Sequence, residues 1–236
     1  MKDAIEIHSK LDTDLILKVT PGHFSSDRFH VNYYIDMSTL KMRQSEAKKV
    51  AEVMASQYIK KVNLESKRLS YYGNIASLTE MGANKTPIDT IICMDGCEVI
   101  GAYLADALMK DGFPCNNEHK SFYVITPEFD NTGQMVVRKN IKNMIKGRNV
   151  LVVLATAMSG RTITKAIGTI LAYGGKVMGL SVIFANVDRV DGYPVNGVFT
   201  HEDIPDFKLS LPDECEDCKN HKKLTAVVNS YGYEPL

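Results

Sequence analysis

The segment Ala157-Met158-Ser159-Gly160-Arg161-Thr162 ends the apolar run Asn149 to Leu154 and opens a helical pattern. Small residues at such a turn let backbone N–H groups approach an anion, and the positive end of the helix dipole reinforces them. Ser159 and Thr162 add hydroxyl donors and Arg161 adds a planar cation. Met158, Ser159, Gly160, Arg161 and Thr162 are therefore candidates for holding a phosphate. The same residue types also serve plain capping and tight turns.

Three further groups have chemistry to offer. Asp95 closes a second apolar run, Asp89 to Met94, beside Gly96. Its carboxylate there can take a ligand hydroxyl or a water of Mg²⁺, or it can cap the helix that begins near Cys97. Tyr33 and Tyr34, flanked by His23 and His30, can stack on a planar heterocycle or fill a core. Cys215, Cys218 and His221 have Cys-x2-Cys-x2-His spacing, which suits zinc, and a closed site needs a fourth ligand such as Cys115, an acid or another subunit. The competing reading is a polar tail with free thiols.

The elements that must position these residues follow from periodicity. Ser45 to Lys61 is apolar at three- and four-residue spacing and reads as a helix. Asp89 to Met94 reads as a buried strand, followed by a helix with Ile100, Tyr103, Leu104, Ala107 and Leu108 on one face that stops before Asp111-Gly112. Ser121 to Ile125 and Gln134 to Val137 flank the turn-rich stretch Pro127 to Gly133, which suggests a long hairpin or a mobile loop. Asn149 to Leu154 is the clearest strand, and its helix buries Ile163, Ala166, Ile167, Ile170 and Leu171 before Gly174-Gly175. Val177 to Phe184 and Gly197 to Thr200 complete the strands. Continuous apolar strands alternating with helices imply an α/β fold whose mostly parallel sheet is covered on both faces, with ligands beyond the strand carboxyl ends.

Composition narrows the function classes. The 236 residues are 44% hydrophobic, enough for a full core, and 28 basic residues balance 28 acidic ones. No net field draws the chain to nucleic acid or to an anionic membrane, which points to a small-molecule ligand. No apolar run reaches the roughly 18 to 20 residues of a membrane span, and MKDAIEIHSKLDTD lacks the regions of a signal peptide. Five cysteines without framework spacing fit a reducing compartment, so a cytoplasmic location is expected.

"NVLVVLATAMSGRTI", "GHFSSDRFHVNYYIDMSTL" and "CMDGCEVIGAYLADAL" together resemble the type I phosphoribosyltransferases, and with "YGGKV.GLSVIF" and "CEDCK...VVNSYGYEPL" a divergent bacterial branch of the orotate phosphoribosyltransferases. The resemblance runs from about Gly22 to Thr200. It implies one domain, 1–236, with a small hood from about 1–40 and 205–236. It further implies a homodimer in pyrimidine biosynthesis, and transfer of a phosphoribosyl group from 5-phosphoribosyl 1-diphosphate to a pyrimidine-type base with Mg²⁺. On this reading Met158 to Thr162 bind the 5-phosphate, Tyr33 and Tyr34 border the base, and Asp95 takes over hydroxyl or metal work. Leu154 and Ala155 stand where the family carries two acids. Each absent charge-assisted contact is worth about 1.5 to 3 kcal/mol. Thr126 to Gly133 is likewise acidic where the family's loop is basic. The alternative function is a non-catalytic protein of this fold that binds a nucleotide or phosphorylated ligand in a regulatory role.

Overall fold

The computed structural model describes residues 3–26, 28–70, 86–204 and 206–236. The chain opens with β1 (Ile5–His8), β2 (Ile16–Ser25) and β3 (His30–Asp36), followed by α1 (Ser38–Met42) and α2 (Gln44–Ser70). Next come β4 (Thr90–Cys93), α3 (Glu98–Lys110), β5 (Tyr123–Ile125) and the short strands β6 (Glu128–Phe129) and β7 (Met135–Val136). The second half holds β8 (Asn149–Ala157), α4 (Arg161–Ala172), β9 (Lys176–Ala185), β10 (Arg189–Val190) and β11 (Tyr193–Thr200). It ends with β12 (Leu209–Ser210), α5 (Glu216–Lys219), β13 (Ala226–Asn229) and β14 (Gly232–Pro235).

The central sheet has the order β10-β11-β9-β8-β4-β5, and its strands from β11 to β5 are parallel. Every residue of β4 is buried, as a strand covered on both faces requires. Helices α2 and α3 and the apolar residues of β2 cover one face, where Leu17, Val19, Met54, Ile100 and Leu104 share a core. Helix α4 covers the other with Ile163, Ala166, Ile167 and Ile170. Leu171, expected beneath that helix, is half exposed because it lies beyond the stripe those four residues fill.

Two expectations are corrected. The strand of the phosphate segment does not stop at Leu154: Thr156 and Ala157 still pair with Phe184 and Ala185 of β9. Leu154 and Ala155 thus lie inside a buried strand, one side chain toward each core. Likewise, Ser121 to Ile125 is no hairpin limb, since β5 pairs in parallel with β4 and only the shorter β6 and β7 pair with each other.

A second sheet, β12-β3-β2-β13-β14 with β1 beside β2, joins the two ends of the chain. It forms the hood, centred on Phe24, Val31, Tyr34 and Ala226. The α/β architecture with a mostly parallel sheet and a small hood is the one expected from the sequence. Among the described residues, no helix is long and apolar enough to cross a membrane.

In chain order the parallel strands are arranged 2-1-3-4-5: the chain goes from β4 out to β5, then crosses back past β4 to β8. The turns after β4 and β8 therefore diverge and leave a crevice between them, the usual ligand position in an open α/β sheet.

Candidate functional site

That crevice is a cleft of about 780 Å³. Its floor is the cradle turn Met158 to Thr162, one wall is the β6–β7 hairpin, and Ser26, Arg28, Phe29 and Val228 to Ser230 of the hood close the other side. All five residues expected to hold a phosphate line it, together with Asp95.

The cradle is a tight turn. Gly160 has φ +78°, and a β-carbon there would lie 2.7 Å from Val190 Cγ2, so only glycine fits. Asn186 braces the turn: its backbone N–H donates to the Ala157 carbonyl at 2.9 Å and its side-chain amide to the Met158 carbonyl at 3.0 Å. Gly160 stands at the head of α4 with no side-chain cap, and Ser159, Arg161 and Thr162 are exposed to the cleft. Uncapped amides at a helix start with hydroxyls beside them are chemically suited to an anion.

Asp95 does not cap α3, whose N-cap residue is Cys97 and which has no side-chain cap bond. It sits in a left-handed conformation, φ 58°, followed by Gly96 at φ 78°. Its carboxyl is held above the usual carboxylate range by burial, against the opposing pull of the Lys41 ammonium, the Ala155 N–H and the Ser230 hydroxyl. The register sets the position: Cys93 pairs with Val153 and the Met94 N–H donates to the Val153 carbonyl at 2.8 Å, which brings Asp95 level with Ala155 of β8. Lys41, which the sequence reading did not single out, is almost fully buried. Its Nζ donates to the carbonyls of Asp95, at 2.9 Å, and of Ser230, and lies 5.4 Å from the centre of the Tyr231 ring. Two carbonyls and a ring face compensate its desolvation and tie the β4 turn to the hood.

The hairpin wall is pinned. Lys165 Nζ donates to the carbonyls of Thr132 and Gly133 at 2.9 and 3.0 Å, and Gln134 Nε2 donates to Thr169 Oγ1 at 2.6 Å. Asp130 accepts from Thr132 and Gln134 within the tip. Arg138 is engaged by Glu128 on the surface.

Tyr33 and Tyr34 do not line this cleft. Tyr34 points into the hood, with its ring edge-on to Tyr233 at 5.1 Å, and burial, then the Asp36 charge, push its hydroxyl up to about 12. Tyr33, one residue on, faces the opposite side and packs toward the central core. The rings at the cleft are Phe29 and Phe129.

The Cys-x2-Cys pair gathers ligands other than those its spacing suggests. Cys215 and Cys218 meet His23 of β2 and His30 of β3, all four donor atoms lying within 4.8 Å of one another. His221 is exposed at φ 55° outside this group, and Cys115 donates to the Ser121 carbonyl elsewhere.

Neither a family model nor a curated protein matches the chain in sequence. In three dimensions it is similar to Mycobacterium tuberculosis orotate phosphoribosyltransferase in complex with 5-phospho-alpha-D-ribosyl 1-diphosphate, at TM-score 0.43 and 12% identity over 72% of this chain and 82% of that one. Similarity to a Corynebacterium diphtheriae phosphoribosyltransferase has TM-score 0.44 and 12% identity, over 78% and 91% of the two chains. For Leishmania donovani UMP synthase the values are 0.45 and 16%, over 79% of this chain and 34% of that one.

Proposed function

We propose that the protein is a phosphoribosyltransferase of the type I kind, moving a phosphoribosyl group from 5-phosphoribosyl 1-diphosphate to a pyrimidine-type base of the orotate class. The observation that carries this reading is that Asp95 lines the same cleft as the phosphate cradle, brought level with Ala155 by the parallel register of β4 on β8. A sugar cation forms while a highly charged group departs, so the site must hold a phosphate, offer an acid to the sugar and neutralise the leaving group. The amides of Ser159 to Thr162 hold the 5-phosphate. Asp95 accepts from a ribose hydroxyl and faces the developing positive charge. Arg28 and Arg161, both lining the cleft, face the departing diphosphate. Phe29 and Phe129 offer flat apolar contact to the base.

Mg²⁺ commonly needs only one or two carboxylates beside substrate phosphates, and Asp95 supplies one, whereas Asp130 is committed within its hairpin. Asp95 would hold the ion, which when bound neutralises charge on the diphosphate.

One observation favours a second reading, a regulatory protein that binds a phosphorylated ligand without turnover: Leu154 and Ala155 are fully buried and place no acid in the cleft. Calorimetric titration with phosphoribosyl diphosphate and Mg²⁺, followed by an assay of orotate consumption, separates the two. Binding with turnover that Asp95→Asn abolishes supports the transferase. Nucleoside monophosphate binding without turnover establishes the regulator instead.

A further inference from the structure

Outside the cleft, four metal-ligating side chains converge in the hood from two distant parts of the chain. His23 lies at the irregularity in β2 where the pairing register with β3 shifts between Pro21 and Phe24. His30 opens β3, and Cys215 and Cys218 belong to the connection between β12 and β13. His23 Nε2 is 3.0 Å from His30 Nδ1, 3.5 Å from Cys215 Sγ and 3.6 Å from Cys218 Sγ, while Cys218 Sγ is 3.2 Å from His30 Nδ1.

One imidazole nitrogen cannot hydrogen-bond three partners at once, so the arrangement describes convergence on a common point. Zinc bond lengths in a tetrahedron place ligand atoms about 3.4 Å apart for N–N, 3.6 Å for N–S and 3.8 Å for S–S. These four separations lie within about 0.4 Å of those edges, and the remaining pairs are no more than 4.8 Å apart. Tautomer and orientation are also set. His23 Nδ1 is 2.9 Å from the Lys222 carbonyl, and donation there leaves Nε2 as a lone pair directed at the other three groups.

We propose that His23, His30, Cys215 and Cys218 hold a structural zinc ion that staples the N-terminal strands of the hood to the C-terminal tail. Two thiol protons leave to solvent on binding, giving two thiolates and two neutral imidazoles around a divalent ion. The centre has no net charge, which suits a mostly buried position. Four protein ligands close the coordination sphere and mark the site as structural. Its ends are about 190 residues apart in sequence, so the ion closes a loop that hydrophobic contacts in a small sheet would hold less firmly.

The test uses the full chain purified without chelator. Elemental analysis is expected to find zinc near one per chain, and exchange with Co²⁺ to give the visible spectrum of a tetrahedral site with two thiolates. His23→Ala and Cys218→Ser are expected to lower metal affinity by more than the roughly 10- to 100-fold cost of losing an outer partner, while His221→Ala leaves it unchanged. If a variant fails to fold, the cobalt spectrum of the wild-type chain still decides. Absence of both stoichiometric metal and a cobalt–thiolate spectrum would overturn the site, as would loss of metal in His221→Ala with retention in His23→Ala.

Discussion

At the scale of single residues, the cleft depends on two backbone positions that an ordinary side chain or charge state disturbs. Gly160 combines a positive φ with Val190 where a β-carbon would stand. Gly160→Ala is expected to cost about 1 to 3 kcal/mol in denaturant unfolding and to weaken phosphate binding measured by calorimetry, because the amides it positions turn away. Asp95 carries a pH signature. Its carboxyl is raised in the folded protein above the ordinary value of 3.8, mainly by burial, so the native state binds a proton that the unfolded chain has released. Stability therefore falls as pH rises through the window above 3.8, and Asp95→Asn removes that fall. Urea unfolding of both proteins across this window checks the sign: parallel curves would mean that Asp95 is not held as described.

At the scale of elements, β8 and α4 follow their own periodicity, although β8 runs past the apolar pattern to Ala157 before the turn. The β6–β7 hairpin is different, because α4 holds it in place. Lys165 spans the two elements through the carbonyls of Thr132 and Gly133. Lys165→Ala is expected to raise hydrogen exchange across residues 128–136 while global stability changes by no more than about 0.5 kcal/mol, as for a surface substitution. Unchanged exchange there would show that Gln134 and Thr169 alone fix the hairpin. The sequence signalled a turn-rich insertion correctly. Its partner on α4 was out of view because a lysine that donates to carbonyls 32 and 33 residues away leaves no periodic trace.

For the molecule as a whole, the hood is the element that joins the ends of the chain and closes the cleft. Ser26, Arg28, Phe29 and Val228 to Ser230 are hood residues that line it, and Lys41 fastens the hood turn at Ser230 to the turn at Asp95. With zinc holding His23 and His30 to Cys215 and Cys218, stripping the metal with a chelator is expected to lower the melting temperature and to weaken phosphate binding together. Full binding after complete metal removal would show that the hood holds its place through β2, β3 and β13 alone.

The sequence by itself determined the α/β class, the order of the central strands and helices, and the cradle from Met158 to Thr162. These rest on local rules: apolar periods of two and of three to four residues, and glycine where φ must be positive. It also showed the absence of an acid pair at Leu154 and Ala155, and the pairing of Cys215 with Cys218. Only the tertiary structure decided what lies beside each. Asp95 comes level with Ala155 because β4 and β8 are neighbours across the crossover, and Lys41 is buried because α1 lies against two distant turns. His23 and His30, which flank the tyrosine pair in sequence, meet the cysteines because β2 runs parallel to β13 at the far end of the chain. Tyr33 and Tyr34 point away from the cleft because alternate residues of a strand face opposite sides, and sheet pairing chose which. Contacts between residues far apart in sequence depend on chain crossings, and no local pattern encodes them.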